Sequence, residues 1–264
     1  MNISNKIRYT LSLALGITLN IFPAIDAAAG DAPAVKLEFS TVPEAQSQAQ
    51  ETRVLFLEWY PRINDILFGN GHALPYDELT IDFAQKLRYE NVPAYAERNV
   101  IHVWYPYTKS MPDSYAGMMI HELTHINQHY TKLPRDAVWV CEGIADYIRH
   151  KYFEKDIVPL LHANPDGVLT GYSTQEPYFH SLQLHKVSLT QAGYSRSYTV
   201  ASTFLYWLEQ HKNPDIVKDL NLALNEGRYS SDLFQQYCGA SLDALWREFM
   251  DESTKPAQVI GPNS

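Results

Sequence analysis

Two histidines four residues apart, with a glutamate directly after the first, constrain this chain more than any other feature. They are His121 and His125, and the glutamate is Glu122. On an α-helix, residues i and i+4 lie on one face, so both imidazoles can bind the same metal ion. Glu122 can then lean over the open metal position and accept a proton from water. The pattern predicts a helix over residues 114–131, capped by Asp113, that carries a catalytic zinc site.

A catalytic zinc ion usually has three protein ligands, so the two histidines need a third partner. Glu142 is the favoured candidate, because it follows His125 by 17 residues, which leaves room for a turn and a second helix. We predict that this helix covers residues 136–152. Asp146 lies four residues after Glu142, on the same helical face, and is predicted to accept a hydrogen bond from His121 outside the metal site.

Two other candidates for the third ligand remain open. His129 follows His125 by a further four residues, although helical drift turns it away from the shared face. Asp146 is the other, since a carboxylate at this position could bind the metal directly. The sequence therefore favours Glu142 as the third ligand of a single Zn2+ ion without excluding these two.

Three motifs in this order resemble the plant and bacterial peptidases called basic secretory proteins. They are H-E-x-T-H-x-x-Q at His121–Gln128, E-G-I-A-D-Y at Glu142–Tyr147, and G-Y-x-x-x-Y-x-V-A-x-x-F-L at Gly193–Leu205. The similar region runs over Leu37–Phe249. The resemblance implies an α+β fold of the zincin type. Its N-terminal lobe would hold a small mixed sheet and the motif helix, and a cleft would separate it from a mostly helical C-terminal lobe.

The same resemblance implies a zinc-dependent peptidase of the gluzincin type that hydrolyses peptide or protein substrates. Glu122 would act as general base, and Tyr198 would donate a hydrogen bond to the oxyanion, with Tyr194 as the second choice. A catalytically silent zincin-fold binding module is the alternative, although a decoy does not need Glu122. A structural zinc site is less favoured, because such sites are usually closed and rich in cysteine.

Apolar periodicity predicts the elements around the motif helix. Alternating apolar residues predict strands near 35–39, 79–83 and 101–105. By resemblance to zincins, Ile101–Tyr105 is assigned as the edge strand that pairs with extended substrate. A helix over 44–68 should kink or divide at Pro61. Further helices are predicted at 197–212, 214–226, 231–238 and 241–252, and residues 159–196 are predicted to form loops over the cleft.

The N-terminal segment of the chain predicts export. Residues 1–29 combine a basic start at Lys6 and Arg8 with an apolar stretch and small residues at 24–29, which is typical of a secretory signal peptide. A single catalytic domain is predicted over 30–253, with the boundary between its lobes near 131–136. Residues 254–264 are predicted to be disordered. The mature protein is expected to be secreted or periplasmic and not bound to a membrane.

Composition excludes one class of partner and leaves two questions open. The formal net charge is −9 and no basic stripe appears, so nucleic acid is not an expected partner. The chain has two cysteines, Cys141 and Cys238, which an exported protein could join in a disulfide or keep as thiols. The sequence does not predict the oligomeric state or the cleavage preference.

Overall fold

The structure describes four ranges of residues between 33 and 253. A computed structural model describes residues 33–89, 92–157, 193–195 and 197–253, which lie in one compact unit spanning Ala32–Ser264. The predicted signal peptide, most of the predicted loops at 159–196 and the predicted tail fall outside the described residues. The division of the catalytic domain into two lobes stays a prediction.

The described residues contain one mixed sheet of four short strands. The strands are β1 (Ala34–Glu38), β2 (Glu78–Ala84), β3 (Ala94–Glu97) and β4 (Val100–Trp104), arranged in the order β1-β2-β4-β3. The β1–β2 and β2–β4 pairs are parallel, and β3 is antiparallel to β4. The three predicted strands are confirmed, with ends shifted by one residue, whereas β3 is not predicted by the sequence pattern.

The assignment of Ile101–Tyr105 as the edge strand is wrong. β4, which contains most of these residues, lies between β2 and β3, so its backbone groups are paired on both sides. The edge strand on this side of the sheet is β3, and a tight turn that holds Arg98 at a φ of 57° joins it to β4. A strand of four residues is too short to show a reliable alternation, and this is why the pattern misses it.

Eight α-helices accompany the sheet in the described residues, and together they give an α+β fold. Residues 46–68 form one helix that continues through Pro61, so a division there is wrong, and a kink at Pro61 stays a prediction. Proline has no N–H, so Pro61 cannot donate the helical hydrogen bond to the carbonyl of Leu57. Leu57 is exposed, so water can supply that hydrogen bond instead. No described helix combines the length and apolar character needed to cross a bilayer. The helices are α1 (Gln46–Phe68), α2 (Tyr105–Ser110), α3 (Pro112–Gln128), α4 (Val138–Ile148), α5 (Tyr198–His211), α6 (Ile216–Asn225), α7 (Asp232–Cys238) and α8 (Leu242–Ser253).

The two motif helices are shorter than predicted. α3 ends at Gln128 because His129 adopts a φ of 29°, which leaves the helical conformation. Asp113 lies within the first turn of α3 and makes no capping hydrogen bond. A 3₁₀ turn at Arg135–Ala137 precedes α4, and a π-helical turn at Arg149–Phe153 follows it. The predicted helix over 136–152 is therefore three consecutive helical segments.

α4 packs closely against α5. A Cβ atom added at Gly143 would lie 2.8 Å from the Cβ of Ala201 and 3.1 Å from a methyl carbon of Leu205. The helix that approaches Gly143 most closely is therefore α5. Val138, the first residue of α4, is 43% exposed.

Candidate metal centre

Three ligand atoms from two helices converge at one point. On α3, Nε2 of His121 lies 3.1 Å from Nε2 of His125. From α4, Oε2 of Glu142 lies 3.2 Å from Nε2 of His121 and 3.4 Å from Nε2 of His125. These atoms all lie within 4.8 Å of one another. The structure thus brings together the three residues that the sequence favours as metal ligands.

The outer nitrogen of each histidine contacts a different hydrogen-bond acceptor. Nδ1 of His121 lies 2.8 Å from Oδ1 of Asp146, which is buried on α4. Nδ1 of His125 lies 2.7 Å from Oε1 of Gln128, the last residue of α3. Both acceptors are buried, so the two rings are held from behind by fixed groups.

These two hydrogen bonds decide which nitrogen of each ring carries the proton. A carboxylate and an amide oxygen can only accept, so each Nδ1 must be the donor. In a neutral imidazole the opposite nitrogen then presents a lone pair. When both rings are neutral, two Nε2 lone pairs and the carboxylate of Glu142 therefore face one another, and a bound positive charge would offset their repulsion. Two imidazole nitrogens with one carboxylate oxygen are a donor set that suits Zn2+.

The charges of the metal-free site favour a positive occupant. Burial lowers the pKa of His121, but hydrogen bonds to Asp146 and Glu142 outweigh it and raise the pKa to about 9. Burial raises the pKa of Glu142, but His125 and His121 outweigh it and hold the pKa well below its usual range. In the same way His121 lowers the pKa of Asp146 to about 2 against the effect of burial. These shifts all favour positive charge between the carboxylates, which a proton or a metal ion can supply.

Glu122 is buried beside the two histidines and lies near the sheet. Burial raises the pKa of its carboxyl group, and the neighbouring imidazoles of His121 and His125 lower it in part. The backbone N–H of Ala96 also favours the charged form and lowers the pKa. Ala96 belongs to β3, so the edge strand of the sheet lies next to the predicted general base.

The structure separates the two candidate tyrosines. Tyr198 begins α5, and its ring stacks on the imidazole of His121 with the ring centres 5.7 Å apart. Burial and the carboxylate of Glu142 raise the pKa of Tyr198 to about 12, so its hydroxyl keeps its proton at neutral pH. Tyr194 instead packs against the indole rings of Trp139 and Trp246, at 4.5 and 5.6 Å between ring centres.

The two alternative ligands are placed differently from the convergent group. His129 has left the helix, and its Nδ1 bonds to the backbone oxygen of Asn127 at 2.9 Å. Asp146 lies on the outer side of His121 and contacts Nδ1 rather than the metal-facing Nε2. Among the described residues, the ligand group near the motif helix consists of His121, His125 and Glu142.

Both cysteines are free thiols. Cys141 is buried, and its Sγ lies 3.2 Å from Oε1 of Gln128. Cys238 is partly buried at the end of α7. The disulfide that the sequence left open is therefore absent from the described residues.

Three features around the site were not predicted from the sequence. Gln128 belongs to the first motif, and its position three residues after His125 was the available signal for the contact. The backbone of Ala96 carried no signal, since any residue supplies an N–H. A second group that could hold a cation is formed by His150, Glu154 and Asp156, where Nδ1 of His150 lies 2.9 Å from Asp156 and 3.0 Å from Glu154.

Comparison with known proteins identifies the class of protein to which this chain belongs. A family model described as a peptidase of plants and bacteria matches residues 94–249, which hold both motif helices and α5. The chain is therefore a peptidase by family. It belongs to the basic secretory protein family, the one that its three motifs resemble. No curated protein and no solved structure gives a significant match to the chain.

Proposed function

We propose that this protein is an exported, zinc-dependent metallopeptidase. His121, His125 and Glu142 would hold one Zn2+ ion. The observation that carries the proposal is the convergence of Nε2, Nε2 and Oε2 at 3.1–3.4 Å, with both Nδ1 atoms engaged behind them. The small mixed sheet beside the motif helix and the ligand carboxylate on the next helix support a zincin-type fold of the gluzincin kind.

In the proposed mechanism each step of peptide hydrolysis is assigned to a residue of the site. Zinc, when bound, supplies a Lewis acid that polarises a carbonyl and acidifies a water molecule. The carboxylate of Glu122 accepts a proton from the attacking water and delivers it to the nitrogen of the leaving amine. The carboxylate is buried beside the two imidazoles, which would favour its charged, proton-accepting form.

Tyr198 would stabilise the substrate oxyanion. Its ring lies against His121, and the side chain is 53% exposed, so a substrate can reach the hydroxyl. With a pKa raised to about 12, the phenol donates a hydrogen bond without losing its proton. A donor positioned for the charge that develops in the transition state is worth more there than in the ground state.

The substrate would bind as an extended peptide along β3. This strand pairs with β4 on one side only, so its other edge has backbone donors and acceptors free of strand partners among the described residues. Peptides commonly add to such an edge as a further strand. Because Ala96 of β3 contacts Glu122, a peptide on this edge would lie beside the general base.

Metal content and proteolysis measured on the same preparation test the proposal. The full mature protein should bind about one equivalent of zinc and cleave denatured casein, and a chelator should abolish cleavage until zinc is restored. Glu122→Gln should keep the zinc and lose about 100- to 10,000-fold in kcat, the usual contribution of a general base. His121→Ala should lose the zinc as well.

The matched control is Glu226→Gln, which changes an exposed carboxylate that pairs with Arg228 outside the site. It should retain full activity and zinc. Undiminished cleavage by Glu122→Gln would contradict the role of that residue, and cleavage by zinc-free protein would contradict the metal mechanism. Zinc binding by wild-type protein without any cleavage would favour the alternative, a catalytically silent binding module.

A further inference from the structure

We propose that Gln128 is the positioning residue for His125 and thereby sets the affinity of the metal site. The inference rests on the proposed zinc site and adds a residue to it. Gln128 is buried at the last position of α3, and its side-chain amide is surrounded by three polar partners.

The contacts of the amide fix its orientation. Its Nε2 donates to the backbone oxygen of Cys141 at 2.9 Å. Its Oε1 accepts from Nδ1 of His125 at 2.7 Å and from the thiol of Cys141 at 3.2 Å. If the amide were turned over, its oxygen would face the backbone carbonyl of Cys141, which can only accept. That one contact therefore selects the first orientation, in which Oε1 faces Nδ1 of His125.

This orientation imposes one tautomer on His125. The amide oxygen requires a proton on Nδ1, which leaves the lone pair of Nε2 facing Glu142 and His121. Asp146 achieves the same result at His121, but with a negative charge. The amide of Gln128 orients its histidine without adding a further carboxylate to a site that already holds Glu122, Glu142 and Asp146.

Gln128 also joins the two helices that carry the ligands. It accepts from a histidine on α3 and donates to the backbone of α4 at Cys141, the residue directly before Glu142. A single buried side chain therefore fixes both the direction of one imidazole and the distance to the neighbouring ligand carboxylate. Groups that orient metal ligands in this way typically contribute 10- to 100-fold to metal affinity.

Substitution tests the role through metal affinity, independently of catalysis. Gln128→Leu should raise the zinc Kd about 10- to 100-fold, measured by competition with a chromogenic chelator. The matched control is Asn127→Leu, which replaces the adjacent buried amide on α3, whose Nδ2 donates to the backbone oxygen of Leu123. The control should bind zinc within about threefold of wild type. Gln128→Glu should restore most of the lost affinity, because it returns an acceptor for Nδ1–H.

Two outcomes would overturn this role. One is a folded Gln128→Leu variant that binds zinc as tightly as Asn127→Leu. The other is equal loss in Gln128→Leu and Gln128→Glu, which would show that the acceptor does not matter. If wild-type protein bound no zinc at all, the proposed function would fail instead, so the two failures are distinguishable.

A measurement on the wild-type chain covers the case in which Gln128→Leu does not fold. In protein labelled with ¹⁵N at histidine, the ring nitrogen shifts identify the tautomer. His125 should carry its proton on Nδ1 when zinc is bound, with Nε2 as the metal-bound nitrogen. A metal-bound Nδ1 in His125 would overturn the inference directly.

Discussion

The carboxylate of Asp146 on α4 lies 2.8 Å from Nδ1 of His121 on α3, so the helix that supplies Glu142 also orients a histidine of its neighbour. The i+4 spacing of Glu142 and Asp146 makes this possible, because both side chains project from the same face of α4. Glu142 reaches Nε2 of His121, and Asp146 reaches Nδ1 on the opposite side of the ring.

Asp146→Asn should weaken zinc binding by about 10- to 100-fold. Asparagine can still accept from Nδ1, but it lacks the negative charge that makes His121 a more basic ligand. The zinc Kd from chelator competition checks this, with Asp243→Asn, which changes a carboxylate on the first turn of α8, as the control. Unchanged affinity in Asp146→Asn would show that the charge behind His121 is unimportant.

Stability should depend on pH in opposite ways with and without zinc. In metal-free protein the pKa of His121 is raised from 6.5 to about 9, so its stabilising effect is complete below 6.5 and is lost as pH rises towards 9. The pKa of Asp146 is lowered from 3.8 to about 2, so its effect is complete above 3.8 and is lost as pH falls towards 2. Metal-free protein should therefore be most stable between about pH 4 and 6.5.

With zinc present the trend above pH 6 should reverse, because protons and metal compete for the same nitrogens. Urea unfolding at pH 6 and pH 9, with chelator or with excess zinc, measures both trends. The free energy of unfolding should fall by about 1 to 3 kcal/mol without zinc over this interval and rise with it. Parallel trends under the two conditions would contradict the assignment of His121 to the metal site.

Tyr198→Phe should lower kcat by about 100-fold while leaving zinc content and the stacking on His121 unchanged. The phenyl ring preserves the aromatic contact, so the loss isolates the hydroxyl. Tyr194→Phe is the matched control, since that ring packs against Trp139 and Trp246, and it should retain nearly full activity. A Tyr198→Phe enzyme with wild-type kcat would remove this residue from the mechanism.

Gly143→Ala should destabilise the protein by about 1 to 3 kcal/mol, although alanine favours a helix over glycine by about 1 kcal/mol. The added methyl would lie 2.8 Å from the Cβ of Ala201, closer than van der Waals contact allows. The double variant Gly143→Ala/Ala201→Gly should recover most of the loss in urea unfolding. Failure of the second substitution to compensate would place the strain elsewhere.

Local periodicity predicted those parts of the molecule that depend on neighbours along the chain. The i+4 spacings of His121 with His125 and of Glu142 with Asp146 are such a case, because one helical turn fixes which side chains share a face. The ends of α3 and α4 were less predictable. The pattern around His129 continues the helical spacing, whereas its backbone has already turned away.

Contacts between distant segments could not be predicted from the same patterns. The position of β4 inside the sheet depends on β3 folding back beside it, and four residues give no clear period. The sequence around Gly143 likewise does not indicate which helix packs against it, because nothing in that segment distinguishes α5 from α3. The role of Gln128 depends on a backbone carbonyl at Cys141, which every residue type would supply.

The contact between Gly143 and Ala201 also has a mechanical consequence. At this contact the backbones of α4 and α5 lie close together, with little side chain between them. Gly143 lies one residue after Glu142, and Ala201 lies three residues after Tyr198. Interlocked surfaces of this kind resist sliding, because small displacements produce immediate steric overlap. We therefore expect the carboxylate of Glu142 and the phenol of Tyr198 to move as a single rigid body. Any opening of the proposed substrate site would then take place between these two helices and the β-sheet.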